Sequence, residues 1–266
     1  FMAAVLSTEL GNTDKIYSII QECERMKIQV LKPNILVSKK TFFVNDENKI
    51  EYGLGAIKGV ADNFIKHVCE KRDTNTFNNL WDFSKKIDVK VGGKKSLEAL
   101  SQSGAFDCLA PSRSVAIACV KDMLKDGSNN MDTSSQSGDL FAAIDHNFDP
   151  YEKYLNLKKL TLSEKLDFEK KSLGYYLSGH PVKAIDDKII KLRTKKICDL
   201  SNDIKQASVV VLINSVRQIK DRKGKPLTFV NFDDGSGAMD GIISSDVLEN
   251  CHSILKEGVI LVLRGQ

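Results

Sequence analysis

Two stretches of this chain set small residues and lysines where a polypeptide backbone could meet a phosphate. The first is Ile57-Lys58-Gly59-Val60-Ala61, followed by Phe64, Ile65 and Val68 at helical spacing. An apolar residue, any residue, glycine, an apolar residue and a small residue ahead of a helix make a tight hairpin. Such a hairpin lets the N–H groups of a helix start approach a phosphate closely. Lys58 adds charge, while Ala61 holds a position where glycine would leave the backbone freer. The second stretch is KKSLEALSQSGAFDCLAPSRSVAIACV. Its pattern predicts a helix from Ser96 to Ser101, Gly104, a turn at Ala110-Pro111 and a helix from Arg113 onward. Lys90, Lys94 and Lys95 precede it.

Both stretches read as helix-hairpin-helix elements, which suit a duplex backbone better than base edges. An ordinary glycine-containing turn between helices is the competing reading of the first. A solvated loop is the competing reading for Lys85, Lys86, Lys90, Lys94 and Lys95. Further on, Gln136 and Leu140-Phe141 lie in a polar run, DGSNNMDTSSQSGD, at whose end the Leu-Phe pair stands. Two large apolar residues in such a setting need a groove to receive them. Gln followed by Leu-Phe is the pattern of peptides that dock on a sliding clamp, and docking on the chain's own surface is the alternative. Lys220, Arg222, Lys223 and Lys225 lie in one loop, KDRKGKP, ahead of Phe229 and Phe232. A basic loop beside sheet aromatics is how some barrels hold single strands. The odd spacing of the two phenylalanines puts them on opposite faces, so at most one is exposed.

No catalytic set emerges: there is no phosphate-cradling loop, no GxSxG and no HExxH. His180, in Gly179-His180-Pro181, has no local base or nucleophile and reads as structural. Asp233-Asp234 precedes Gly235-Ser236-Gly237 and reads as a turn between strands rather than a metal site. The six cysteines lie far apart without a CxxC, so neither zinc nor a disulfide framework is expected, and a reducing cytoplasm suits them.

The elements that must carry these groups follow from patterning. The 266 residues are 42% apolar, carry a net charge of +4, and contain no apolar run long enough for a membrane span. FMAAVL is too short for a signal peptide. With no Met at position 1 and an ending just after an apolar run, the chain is expected to be part of something longer. Asn12-Thr13 should cap a helix reaching about Lys27, and TFFVNDENKIEYG should form a β-hairpin. Residues 126–149 hold five Asp and no Lys or Arg, which predicts a flexible linker. LSEKLDFEKKSLGYYL reads as helix. VVVLINSVRQI, LTFVNFDD, AMDGIIS, a helical SDVLENCHSILKEG and VILVLRG then give the strand order of an OB-fold lacking its fifth strand.

Several strings, in order, resemble the alpha subunit of bacterial DNA polymerase III, the family C replicative polymerases. They are FMAAVL, YGLGAIKGV, SGAFDCL, QSGDLF, LGYYLSGHP and FDDGSGAMDGIIS. The resemblance implies an α+β multi-domain segment, mainly helical and then β-rich. It would run from the end of the fingers region with its β-hairpin (1–52) through a tandem helix-hairpin-helix domain (53–125) and a clamp-binding linker (126–149). A helical connector (150–205) and a C-terminally truncated OB-fold (206–266) would follow. The parent would be a DNA-directed DNA polymerase using magnesium, with its catalytic aspartates upstream; no residue here matches them. What carries over is Lys58, Gly59, Val60 and Ala61 against the duplex with Lys94 and Lys95 nearby, and Gln136, Leu140 and Phe141 against the clamp. In the family's peptide Gln stands four before Phe; here Ser137 holds that position. The implied role is grip and tethering without catalysis, with duplex and single-stranded DNA, the clamp and other replicase subunits as partners. A free-standing repair or recombination adaptor is the alternative, and a scaffold without DNA contact a third.

Overall fold

Asn12 starts the first long helix by accepting a hydrogen bond from the Lys15 N–H at 3.2 Å, and Asp14 and Arg25 complement its dipole. This helix, α2 (Thr13–Arg25), follows α1 (Met2–Thr8) and buries Ile16, Ile20 and Cys23. The hairpin expected next is present but short. β1 (Phe43–Val44) pairs antiparallel with β2 (Ile50–Glu51), because Asn45 turns the chain by accepting from the Glu47 and Lys49 N–H groups. The computed structural model describes residues 1–132, 151–185, 195–201, 204–220, 226–251 and 253–265.

Five helices complete the first unit: α3 (Asp62–Arg72), α4 (Leu80–Lys86), α5 (Val89–Ser103), α6 (Arg113–Asp132) and α7 (Leu162–Leu173). Their apolar faces join one core that includes Phe64, Phe83, Leu97, Leu100, Phe106, Val120 and Met123. Tyr151, Tyr154, Leu173 and Tyr175 belong to the same core. The Tyr151 hydroxyl donates to the Leu109 carbonyl at 2.6 Å and accepts from the Leu80 N–H at 2.9 Å. The acidic stretch therefore interrupts the sequence, not the core. The compact units are Phe1–Leu177 and Ser178–Gln266. Residues 151–177 of the expected connector pack with the helices before them.

Arg113 carries a buried charge in this unit. It donates to Glu169 Oε1 at 2.9 Å and to Asp107 Oδ2 at 2.7 Å, with side-chain exposures of 4% for Arg113 and 0% for Glu169. Glu169 also accepts from the Leu177 N–H at 2.8 Å. Burial opposes the Arg113 charge, but Asp107 and Glu169 outweigh it and raise its pKa. Gly104 makes room for this group: it is left-handed (φ 85°), and a Cβ there would lie 2.1 Å from an Arg113 nitrogen.

In the second unit β3 (Ala207–Lys220), β4 (Pro226–Asp233), β5 (Ala238–Ile243) and β6 (Ile260–Gly265) form an antiparallel sheet of order β5-β4-β3-β6. Helix α8 (Ser245–Cys251) precedes β6. Val209, Val211, Ile213, Val230, Phe232, Leu248 and Leu255 fill its core with Ile197. This curled, OB-like sheet with a helical first unit makes the chain α+β, as expected. Asp234 builds the β4–β5 turn, accepting from the Ser236 N–H at 2.8 Å, the Gly237 N–H at 3.2 Å and the Ile197 N–H at 2.8 Å. Asp233 contacts His180 Nε2 and accepts from Asn214 at 2.7 Å and from the Gly235 N–H at 3.1 Å. His180 Nδ1 accepts from the Val182 N–H at 3.3 Å, so the histidine pins its own segment to the turn. Burial would raise the pKa of both aspartates, but these partners hold both below the ordinary carboxylate range.

Arg113→Met should strand Glu169 as an uncompensated buried charge and cost about 3–5 kcal/mol. Arg113→Met with Glu169→Gln should recover most of that, because Gln keeps an acceptor for Leu177 without the charge. Urea unfolding of the three proteins measures it. Asp233 and Asp234 have lower pKa values folded than unfolded. The stability they contribute should be complete above about pH 4 and fall as acid protonates them. Asp234→Asn should flatten that acid limb in a pH series of unfolding curves.

Candidate nucleic-acid interface

The first hairpin takes its shape from Gly59, whose φ of 91° disfavours any side chain. A single 3₁₀ turn, Leu54–Ala56, leads into it in place of a longer helix, and α3 leaves it. Lys58, Gly59 and Ala61 are exposed and Val60 is half-buried. Three of the four N–H groups are already committed. Lys58 donates to the Ser172 carbonyl at 2.7 Å, Val60 to Ile57 at 3.4 Å, and Ala61 to Ser96 Oγ at 3.1 Å. Among the described residues no acceptor takes the N–H of Gly59, nor those of Asp62 and Asn63 in the first turn of α3. The cap residue Ala61 offers no side-chain acceptor. The open donors are therefore one hairpin residue and the helix start, a narrower set than the motif alone suggests.

Charge is arranged around them unevenly. Lys95 crosses Gly59 with its stem, its Cε 3.2 Å from where a Cβ would stand. Lys58 turns elsewhere: its ammonium lies 3.0 Å from a Cβ position on Gly174, at the C-terminal end of α7. There the helix dipole welcomes a cation. Asp62, an acid at the start of α3, pairs with Lys40 at 2.6 Å, which offsets its repulsion of an anion. Lys94 pairs with Glu98 at 3.4 Å and stays exposed, as does Lys90. Gly93 (φ 62°) breaks α5 between Lys90 and Lys94. Just before it Gly92 lies so close to Phe64 that a Cβ would stand 2.5 Å from the ring.

The second hairpin is different. Ala105 and Phe106 are buried, Arg113 covers Gly104, and Asp107, Cys108 and Pro111 are exposed. It presents no lysine. Lys95, which precedes this element in sequence, sits against the first hairpin, because α5 is packed beside Gly59. Ser96 and Arg113 were not singled out by sequence reasoning. The small residues Ser96, Ala99 and Ser103 along α5 were the available signal for a close approach.

On the sheet of the second unit, burial alternates along β4. Thr228, Val230 and Phe232 face in; Leu227, Phe229, Asn231 and Asp233 face out and are half-buried. The two phenylalanines do lie on opposite faces. Arg217, Phe229 and Ile242 are register partners across β3, β4 and β5, Arg217 exposed and Ile242 63% exposed. The neighbouring row is polar: Asn231 donates to Asp240 at 2.8 Å and Asn214 to Asn231 at 3.1 Å. Lys220 ends β3, while Arg222 and Lys223 lie outside the described residues, as do Gln136, Leu140 and Phe141.

Among the described residues no three His, Cys, Asp or Glu side chains come together as a metal ion needs. Asp233 and Asp234 are occupied by the turn they build. The magnesium that the resemblance assigns to the parent finds no fitting donor set there. Cys119 is buried, which pushes its thiol up to about 12. No helix among the described residues is long and apolar enough to cross a membrane.

A family described as helix-hairpin-helix motif matches residues 27–116, which takes in both hairpins. DNA polymerase III subunit alpha of Pseudomonas fluorescens is 34% identical over 284 residues, covering 100% of this chain and 24% of the relative. The subunits of the same name from Haemophilus influenzae and Escherichia coli K12 are 33% and 30% identical, each over 100% of this chain and 23% of the relative. The chain thus spans about a quarter of the length of these curated relatives. From its first residue to its last it is similar to the alpha subunit of bacterial DNA polymerase III, the family its motifs resemble.

Proposed function

We propose that this chain is the DNA-gripping part of a replicative polymerase of that family, holding DNA while template-directed synthesis occurs elsewhere in the protein. The observation that carries this is the first hairpin: Gly59 and the uncapped start of α3 offer N–H donors to solvent beside Lys95. That set suits a phosphate of the duplex backbone and does not read bases. Lys94 and Lys90 extend the positive edge. The outward row Arg217, Phe229 and Ile242 is suited to a single strand, with a base stacked on the phenylalanine and a phosphate near the guanidinium. Gln136, Leu140 and Phe141 are assigned to the sliding clamp on sequence pattern alone. A tether of that kind raises local concentration and prolongs residence on DNA. Other replicase subunits complete the partners, the cytoplasm is the compartment, and magnesium acts at carboxylates outside this chain.

Gly59→Val should weaken duplex binding, because a branched side chain at that φ deforms the hairpin and covers its N–H. Lys94→Ala with Lys95→Ala should reduce the slope of log affinity against log salt by up to about 1.8, one phosphate contact each. Anisotropy titrations of labelled duplex over a salt series measure both; unchanged affinity and slope in folded variants would refute the contact face. Phe229→Ala should cost single-strand binding about 1–3 kcal/mol while leaving duplex binding alone. For the clamp, calorimetry of a peptide of residues 130–146 should give micromolar affinity. Changing Leu140 and Phe141 to Ala should abolish it, and Gln136→Ala should cost less. A double variant that binds as well as the parent peptide would remove the clamp assignment.

A further inference from the structure

We propose that Ser96 is a positioning residue for the first hairpin, a serine of α5 that fixes the Gly59–Ala61 backbone and so sets how its open N–H groups and Lys95 face one anion. The proposal rests on the duplex-backbone reading above and adds a residue that does not itself touch DNA.

Ser96 is 1% exposed. Its Oγ accepts from the Ala61 N–H at 3.1 Å and donates to the Gly59 carbonyl at 3.4 Å. One hydroxyl thus bridges the two ends of a three-residue turn whose own backbone does not close that way. This is not the usual behaviour of a helical serine here. Ser7, Ser18, Ser101 and Ser172 each donate to the carbonyl four residues back, at 2.7, 3.0, 2.8 and 2.8 Å. Ser96 stands in the first turn after the break at Gly93, where the carbonyl four residues back belongs to Gly92, on the far side of the break. Its hydroxyl is released from its own helix and spent on the hairpin.

The neighbours make the same seat. Ala99 Cβ lies 3.8 Å, and Lys95 Cγ 3.5 Å, from where a Cβ on Gly59 would stand. Residues 95, 96 and 99 of α5 therefore line the hairpin at Gly59, where the φ of 91° rather than the space favours glycine. Lys95 arrives on the same turn of helix as the serine, so the hydrogen bonds that hold the hairpin also fix its distance from that charge. Losing the hydroxyl leaves Gly59, Lys95 and every exposed side chain chemically intact, but it releases the Ala61 N–H and the Gly59 carbonyl and with them the spacing they hold.

The test uses the full chain with Ser96→Ala, Ser96→Cys and Ser96→Thr. Duplex affinity is read over a salt series, and the exchange rate of the Ala61 amide hydrogen by NMR. Ser96→Ala and the near-isosteric Ser96→Cys should each bind duplex about fivefold to tenfold more weakly, lower the salt slope by about one, and exchange the Ala61 amide faster. Ser96→Thr, which keeps the hydroxyl, should restore slope and protection. Single-strand binding should not change in any of them. Should one variant fail to fold, the other hydroxyl-less variant decides. Wild-type slope and affinity in a folded Ser96→Ala or Ser96→Cys protein would overturn the proposal. If the unaltered chain bound no duplex at all, the proposed function would fall instead, and the Ala61 exchange rates would still decide whether Ser96 holds the hairpin.

Discussion

A backbone N–H left without a protein partner is costly when buried and tolerable only at the surface. The first unit is arranged around a few such groups, at Gly59 and the start of α3. Exposing them requires that the surrounding backbone be tied down by other means. The ties come from three directions: Ser172 of α7 takes the Lys58 N–H, Ile57 takes that of Val60, and Ser96 of α5 takes that of Ala61. Without them a left-handed glycine in a three-residue turn would sample many conformations, and the ordering entropy would be spent on binding. The rigid unit beneath is what makes the open donors useful.

That unit is in turn held by a buried charge. Arg113 begins α6, and its guanidinium bridges the hairpin residue Asp107 and Glu169 of α7. A buried pair of this kind adds little net stability over an apolar replacement, but it punishes rearrangement, because each partner is stranded if the other moves. Here it fixes the second hairpin to α7, the same helix whose Ser172 carbonyl receives the first hairpin. The consequence is an asymmetry between two elements of similar sequence pattern. One leaves its glycine open beside a lysine. The other closes its glycine under an arginine and turns an aspartate outward. Repetition of a motif does not entail repetition of its contact.

Local signals were legible where local physics decides. Asn12 caps α2, Gly104 ends α5, the alternation of β4 sorts Phe229 from Phe232, and Asp234 with its glycines makes a turn, whereas the helix expected through Leu177 stops at Leu173 because Gly174 turns left-handed (φ 90°). What escaped depends on contacts distant in sequence. Acid-rich composition marked 126–149 as a break, yet Tyr151 and Tyr154 return to the core laid down by α4 and α6. Composition reports the interval and not what its far end packs against. Spacing alone puts Lys94 and Lys95 ahead of the second hairpin, and only the resemblance sets them near the first; α5 carries Lys95 to Gly59, 36 positions earlier. Ser96 looked like one more serine in a helix, and only the break at Gly93 changes its partner. Arg113 reads in the sequence only as the start of a helix, because a buried arginine is recognisable only when its carboxylates are in place.

The sheet of the second unit carries the same logic onto a flat surface. Along its outward face one end bears Arg217, Phe229 and Ile242, and the other bears Asn214, Asn231, Asp233 and Asp240. At the second end the amides spend their donors on one another and on the carboxylates, at 2.7 to 3.1 Å. They have little left for a ligand, and the carboxylates repel phosphate. Asp233 is fixed there by His180, so that repulsion is part of the turn and not a mobile side chain. An aromatic face beside a cation is attractive to a nucleobase, and a saturated acidic ladder is not. The face therefore has a direction: a strand lying on it gains contacts near Phe229 and loses them toward Asp240. The β4 alternation that buries Phe232 is what leaves Phe229 at the favourable end.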